Sequence, residues 1–204
     1  DADMITLANP NIIGQAGSVV LQGPYNGIRN QMVTSAAFES DDAIVASLPT
    51  AAQFSANLPD GKMLDGFLLM TKANAKALGF PNLDANHGAN DATIEFNSAF
   101  SFDYDNSDGI TPGMMDFEAV AVHEIGHALG FVSSVDEVNL SNATSFAPFT
   151  LDLFRFNIAS SPTTAAEFTT FARSLTPGSD DVTDFVLPTA GLLGSEFLMS
   201  TGTI

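Results

Sequence analysis

Between Asp116 and Gly130 runs the segment Phe117-Glu118-Ala119-Val120-Ala121-Val122-His123-Glu124-Ile125-Gly126-His127-Ala128-Leu129. An aspartate accepts hydrogen bonds from the free N–H groups of a first helical turn, and a glycine adopts the left-handed conformation that ends a helix. The segment is therefore predicted as a helix from Asp116 to about Leu129. Apart from His123, Glu124 and His127 it is apolar almost all round, the pattern of a buried helix. His123 and His127 are four residues apart, so both imidazoles project from one face, one turn above the other. That spacing lets two ring nitrogens bind one Zn²⁺ at about 2.0–2.1 Å each. Glu124 stands beside that face, placed to take a proton from water activated by the ion. Two imidazoles and a carboxylate on a buried helix are costly unless something satisfies them, and a cation does so. With three His and seven Glu in the chain, an H-E-x-x-H match arises by chance about 0.001–0.002 times per chain of this length. The competing reading is a helix whose histidines bond only to backbone carbonyls.

The 204 residues suit one domain or two lobes sharing a cleft. Hydrophobic residues make up 45%, with 17 Phe expected in the core, which disfavours intrinsic disorder. The 24 acidic and 6 basic side chains give a formal net charge of −18. A surface of that sign repels phosphate backbones and anionic lipid, so nucleic-acid and membrane-surface roles are disfavoured. No window is long and apolar enough for a membrane span. The absence of cysteine excludes disulfides, a thiol nucleophile and Cys-ligated metal. The chain starts at Asp1 without a signal-like stretch, as expected of a processed or trimmed product. Strong acidity with few lysines points to an exported bacterial protein, secreted or in the cell envelope.

Along the chain, Val19 to Gln22 reads as a short strand and Pro24 opens a helix to about residue 37. Ser40 with Asp41 and Asp42 caps a second helix that carries Ile44, Val45 and Leu48. Phe67 to Met70 is a strand or a helix start, Ala73 to Leu78 a short helix, and residues 81–92 a loop. Thr93 to Asn97 alternates at period two, as a half-buried strand does. After the motif come a strand (Leu151 to Phe156), a helix (about 163–174) and the apolar end Leu192 to Met199.

The run H-E-I-G-H-A-L-G-F, His123 to Phe131, resembles the zinc-binding helix of the metzincin metalloproteases, and is most similar to the leishmanolysin-like branch. The strong resemblance covers residues 116–131. A weaker one reaches back to residue 93, because metzincins place a substrate-binding edge strand before this helix, where Ile94 and Phe96 alternate. The resemblance implies an α+β, two-lobe zinc protease with a small mixed sheet and a central active-site helix. The lobes would span residues 1–130 and 131–204. It further implies His123 and His127 as ligands, Glu124 as general base, Gly130 as the turn toward a third ligand, and a protein or peptide substrate. Here the chain departs from the pattern: Ser133 occupies the position of the third ligand in compact metzincins, and no His follows His127. The remaining sources are a carboxylate (Asp136, Asp152 or Glu167) or a residue beyond Ile204. Met199 is the candidate turn methionine.

Two weaker signals remain. Asp103, Asp105 and Asp108 with Asn106 form an acidic loop that suits Ca²⁺ or a solvated turn equally, and its glycine spacing is not that of an EF-hand. His87, in Asp84-Ala85-Asn86-His87-Gly88, reads as a surface loop residue. Three function classes follow: a zinc endopeptidase, an inactive or weak metzincin-like module that binds metal or a partner, and an acidic Ca²⁺-dependent surface protein.

Overall fold

The computed structural model describes residues 1–38, 42–135, 138, 143–175, 181–183 and 197–198. The chain runs through β1 (Ala2–Ile5), β2 (Gly14–Ser18), β3 (Val20–Pro24), α1 (Tyr25–Ala36), α2 (Ala51–Ala56), β4 (Met63–Leu64), β5 (Phe67–Thr71) and α3 (Lys72–Ala77). It continues through α4 (Leu83–His87), β6 (Ala92–Asn97), β7 (Phe102–Asp103), β8 (Met115–Asp116) and α5 (Phe117–Leu129). Then follow β9 (Ser145–Phe146), β10 (Arg155–Asn157), α6 (Ala165–Thr170), β11 (Asp181–Thr183) and β12 (Phe197–Leu198). The class is mixed α+β with small sheets. Two compact units form: Asp1–Leu21 with Thr71–Phe131, and Gln22–Met70 with Val132–Ile204. A break thus falls beside Gly130, and the segment Gln22–Met70 belongs with the C-terminal half of the chain.

In the first unit β6 lies between β1, to which it is parallel, and β2, to which it is antiparallel. This corrects the expectation for Ile94 and Phe96: their strand is the centre of the sheet, paired on both sides, and the edges are β1 and β2. Alternation marks a strand with one buried face but says nothing about how many neighbours it has. Helix α5 packs along β2 and β6. Its first turn is held by an aromatic cluster, with the Phe117 ring 4.8 Å from Phe96, 4.8 Å from Tyr104 and 5.5 Å from Phe102. Lys72, fully buried at the start of α3, places its ammonium 2.7 Å from Asp84 and 3.1 Å from Asp91. It also donates to the carbonyls of Gly88 and Asn90, which folds residues 82–91 around a built-in cation.

In the second unit the core gathers Tyr25, Ile28, Leu48, Phe54, Leu68, Leu153, Phe156 and Phe168. The Arg173 guanidinium lies 4.5 Å above the Phe156 ring and donates to the Leu153 carbonyl at 2.7 Å. Of the phenylalanines expected in the core, Phe54, Phe96, Phe102, Phe146, Phe154, Phe156 and Phe168 are buried, while Phe38, Phe67 and Phe131 are exposed. The stretch expected as a strand from Leu151 starts as a 3₁₀ turn, Thr150–Phe154, and becomes β10 only at Arg155. The reason is Asp152, whose carboxylate accepts from Phe149 N–H at 2.8 Å and curls the backbone. Ala43–Ser47 is likewise a 3₁₀ turn. Ser40, Asp41, Asp136 and Met199 lie outside the described residues.

Candidate metal centre

Helix α5 begins and ends where its boundary residues dictate. Asp116 Oδ1 accepts from Ala119 N–H at 3.2 Å, which satisfies one of the donors a first turn leaves open. At the other end Gly130 has φ +110°. There Gly130 N–H reaches the His127 carbonyl at 3.1 Å and Phe131 N–H the Gly126 carbonyl at 2.9 Å, the paired bonds of a Schellman motif.

Between these ends the two imidazoles meet. His123 Nε2 and His127 Nε2 lie 3.0 Å apart, and the rings are nearly perpendicular, at 86°. His127 Nδ1 lies 2.7 Å from the Phe131 carbonyl oxygen. A carbonyl only accepts, so Nδ1 carries the proton, and in the neutral ring Nε2 then keeps its lone pair, directed at His123. The pair offers two of the nitrogen donors that a zinc site would need. The N···N separation is less than twice the usual Zn–N distance of about 2.0–2.1 Å, and a ligating imidazole characteristically donates its other N–H to a carbonyl.

Glu124 is the one buried residue of α5. Its side chain lies against β2 at Gly14, where a Cβ would come within 3.1 Å of Glu124 Oε1 and 3.0 Å of Val120 Cγ1. Burial pushes its carboxyl above the usual range, an effect that the neighbouring His123 and His127 partly offset. The rest of the helix departs from expectation. Val122, Ile125 and Leu129 are 63%, 46% and 62% exposed, so α5 is not buried all round. A three-stranded sheet covers one side of a helix, and these residues lie off that side.

The other expected ligands do different work. Asp152, fully buried, accepts from Ser133 Oγ at 2.5 Å, Ser134 N–H at 3.0 Å and Phe149 N–H, so its oxygens organise the 3₁₀ turn. Burial raises its pKa, and these hydrogen bonds oppose that rise. Ser133, three residues after Gly130, is one of those donors. Glu167 is the third residue of α6, and its carboxylate accepts from the N–H groups of Thr163 and Thr164 at 2.8 and 3.0 Å. In the acidic loop Asp103 accepts from Asp105 and Thr111 N–H groups at 3.1 and 2.8 Å, and Asp105 from Ser107 N–H at 3.2 Å. Both carboxyls are held below their usual range, Asp103 chiefly by Thr111 and Asp105 by Ser107. That is the hydrogen bonding of a turn. His87 ends α4 on the surface. Among the described residues no three His, Cys, Asp or Glu come together as a cation-binding group, and no helix is long and apolar enough to cross a membrane.

Sequence reading passed over Gly14, which makes room for Glu124, and the Phe131 carbonyl, which orients His127. It also passed over Ser18, whose hydroxyl donates to the His127 carbonyl at 3.1 Å. None carries a local signal, since Gly14 and Ser18 act from β2 onto α5 and Phe131 acts through its backbone. No family model, curated protein or solved structure matches this chain.

Proposed function

We propose that this protein is a zinc-dependent endopeptidase of metzincin type, with His123 and His127 as metal ligands and Glu124 as general base. The observation that carries the reading is the 3.0 Å approach of the two Nε2 atoms, with the opposite nitrogen of His127 tied to a carbonyl. Zinc, when bound, polarises the scissile carbonyl and activates water for attack. His127 holds its coordinating nitrogen unprotonated by donating from Nδ1. Glu124 receives the proton from the attacking water and returns it to the leaving amine, a role suited to a carboxylate whose pKa burial has raised. A catalytic zinc takes three protein ligands, so the reading needs one more donor. Asp136 is the candidate in this sequence that lies outside the described residues. The two-lobe metzincin architecture and an exported location belong to the same proposal.

The test is metal analysis of the purified protein followed by cleavage of a broad peptide library. One zinc per chain is expected, with hydrolysis abolished by a chelator. Glu124→Gln should lower hydrolysis by about 10²–10⁴-fold while keeping the metal. Full activity in that variant, or no zinc in the wild type, would overturn the assignment.

A second reading is a metal-binding or interaction module without catalysis. It is favoured by the lack of a three-ligand group among the described residues. In that case zinc raises the melting temperature, yet no chelator-sensitive hydrolysis is found.

A further inference from the structure

One side chain that shapes the end of α5 comes from a distant part of the sequence. Asn74, on α3, donates Nδ2–H to the Leu129 carbonyl at 3.0 Å. That carbonyl is among those a last helical turn leaves without an intrahelical donor. The same amide lies directly over Gly130, where a Cβ would come within 2.8 Å of Asn74 Cγ and Nδ2 and 2.9 Å of Oδ1. Asn74 is itself held, because its backbone N–H donates to Thr71 Oγ1 at 3.2 Å and α3 is rooted at the buried ammonium of Lys72. Between Asn74 and His127 stands only the Schellman turn. Its Gly130 and Phe131 N–H groups bond back into the helix, and the Phe131 carbonyl receives His127 Nδ1–H at 2.7 Å.

We propose that Asn74 is a positioning residue for His127. By holding the Leu129 carbonyl and bearing on Gly130, it sets the turn that brings the Phe131 carbonyl onto Nδ1. It thereby selects the tautomer whose Nε2 faces His123 with a free lone pair. The consequence for metal affinity rests on the zinc reading above; the consequence for the tautomer does not.

Long-range ¹⁵N imidazole spectra of the metal-free protein test the tautomer, and competition with a chromophoric chelator measures zinc affinity. Wild type should show His127 as the Nδ1–H form. Asn74→Ala and the isosteric Asn74→Asp should both move His127 toward the Nε2–H form. They should also weaken zinc binding by about 10-fold, the scale of a lost outer-shell partner, with far-ultraviolet circular dichroism unchanged. If Asn74→Ala does not fold, Asn74→Asp, which keeps the shape and removes the donor, decides alone. An unshifted tautomer in Asn74→Asp overturns the proposal, as does a shifted tautomer with undiminished zinc affinity. Wild type that binds no zinc would overturn the peptidase reading, while the tautomer measurement would still decide the role of Asn74.

Discussion

Gly14 gives Glu124 its place through the absence of a side chain. A methyl group there would press on Val120 Cγ1 and on the Glu124 carboxylate at once. Gly14→Ala is expected to lower stability by about 1–3 kcal/mol, the cost of overpacking, read from urea midpoints at constant m-value. At this scale the sequence speaks unevenly. The approach of His123 to His127 was legible because a helix turns a spacing of four into proximity. Asn74 and Gly14 were not, because each meets α5 through long-range packing that spacing does not encode. Asp152 and Glu167 read as spare carboxylates for an ion, whereas each accepts backbone N–H groups at the start of a turn or helix. A carboxylate serves either purpose, and only its neighbours decide which.

Helix α5 was legible from end to end because its cap and its terminator are local chemistry, Asp116 at one boundary and Gly130 at the other. Strand β6 was legible as a strand but not as the middle of its sheet, since its position depends on β1 and β2 arriving from the first eighteen residues of the chain. The exposure of α5 was hidden for a related reason. An apolar helix is expected to be buried, but how much of it is covered depends on the width of the sheet beneath. One consequence can be checked. Ile125 is 46% exposed and lies between His123 and His127 in sequence. Ile125→Gln is expected to change unfolding stability by no more than about 0.5 kcal/mol, the usual range for a surface substitution. A loss of several kcal/mol would mean that this face is covered in solution.

For the molecule as a whole, the balance of charge is set by where the few cations go. Arg29 donates to the Leu48 and Ala46 carbonyls, Lys62 to that of Ala143, and Arg173 to those of Leu153 and Phe171. Arg155 is fully buried, and Lys72 and Lys76 clasp Asp84 and Asp91. The last cluster sets a pH dependence. Asp84 is held below its usual range first by Lys72 and then by Lys76, and Asp91 first by Lys76 and then by Lys72. Carboxyls depressed by folding contribute stability above their unfolded value of about 3.9, and that contribution is lost as pH falls through the lower folded values. For Lys72 burial pulls downward, but its carboxylate partners prevail, and Lys76 is raised by the same partners. The lysine contribution is therefore complete below the unfolded value of about 10.4 and is lost as pH rises through the raised folded values. Asp91→Asn should flatten the acid limb of the stability profile, measured as urea midpoints between about pH 2 and 7. An acid limb identical to that of wild type would show that the cluster has no such role.

The same inward commitment of cations governs how the protein meets trypsin, which cuts only after lysine and arginine. No such residue lies between Lys76 and Arg155. The native protein should therefore resist trypsin while remaining open to a glutamate-directed enzyme. Once denatured, it should release Ala77–Arg155 as a single fragment carrying all three histidines and Glu124.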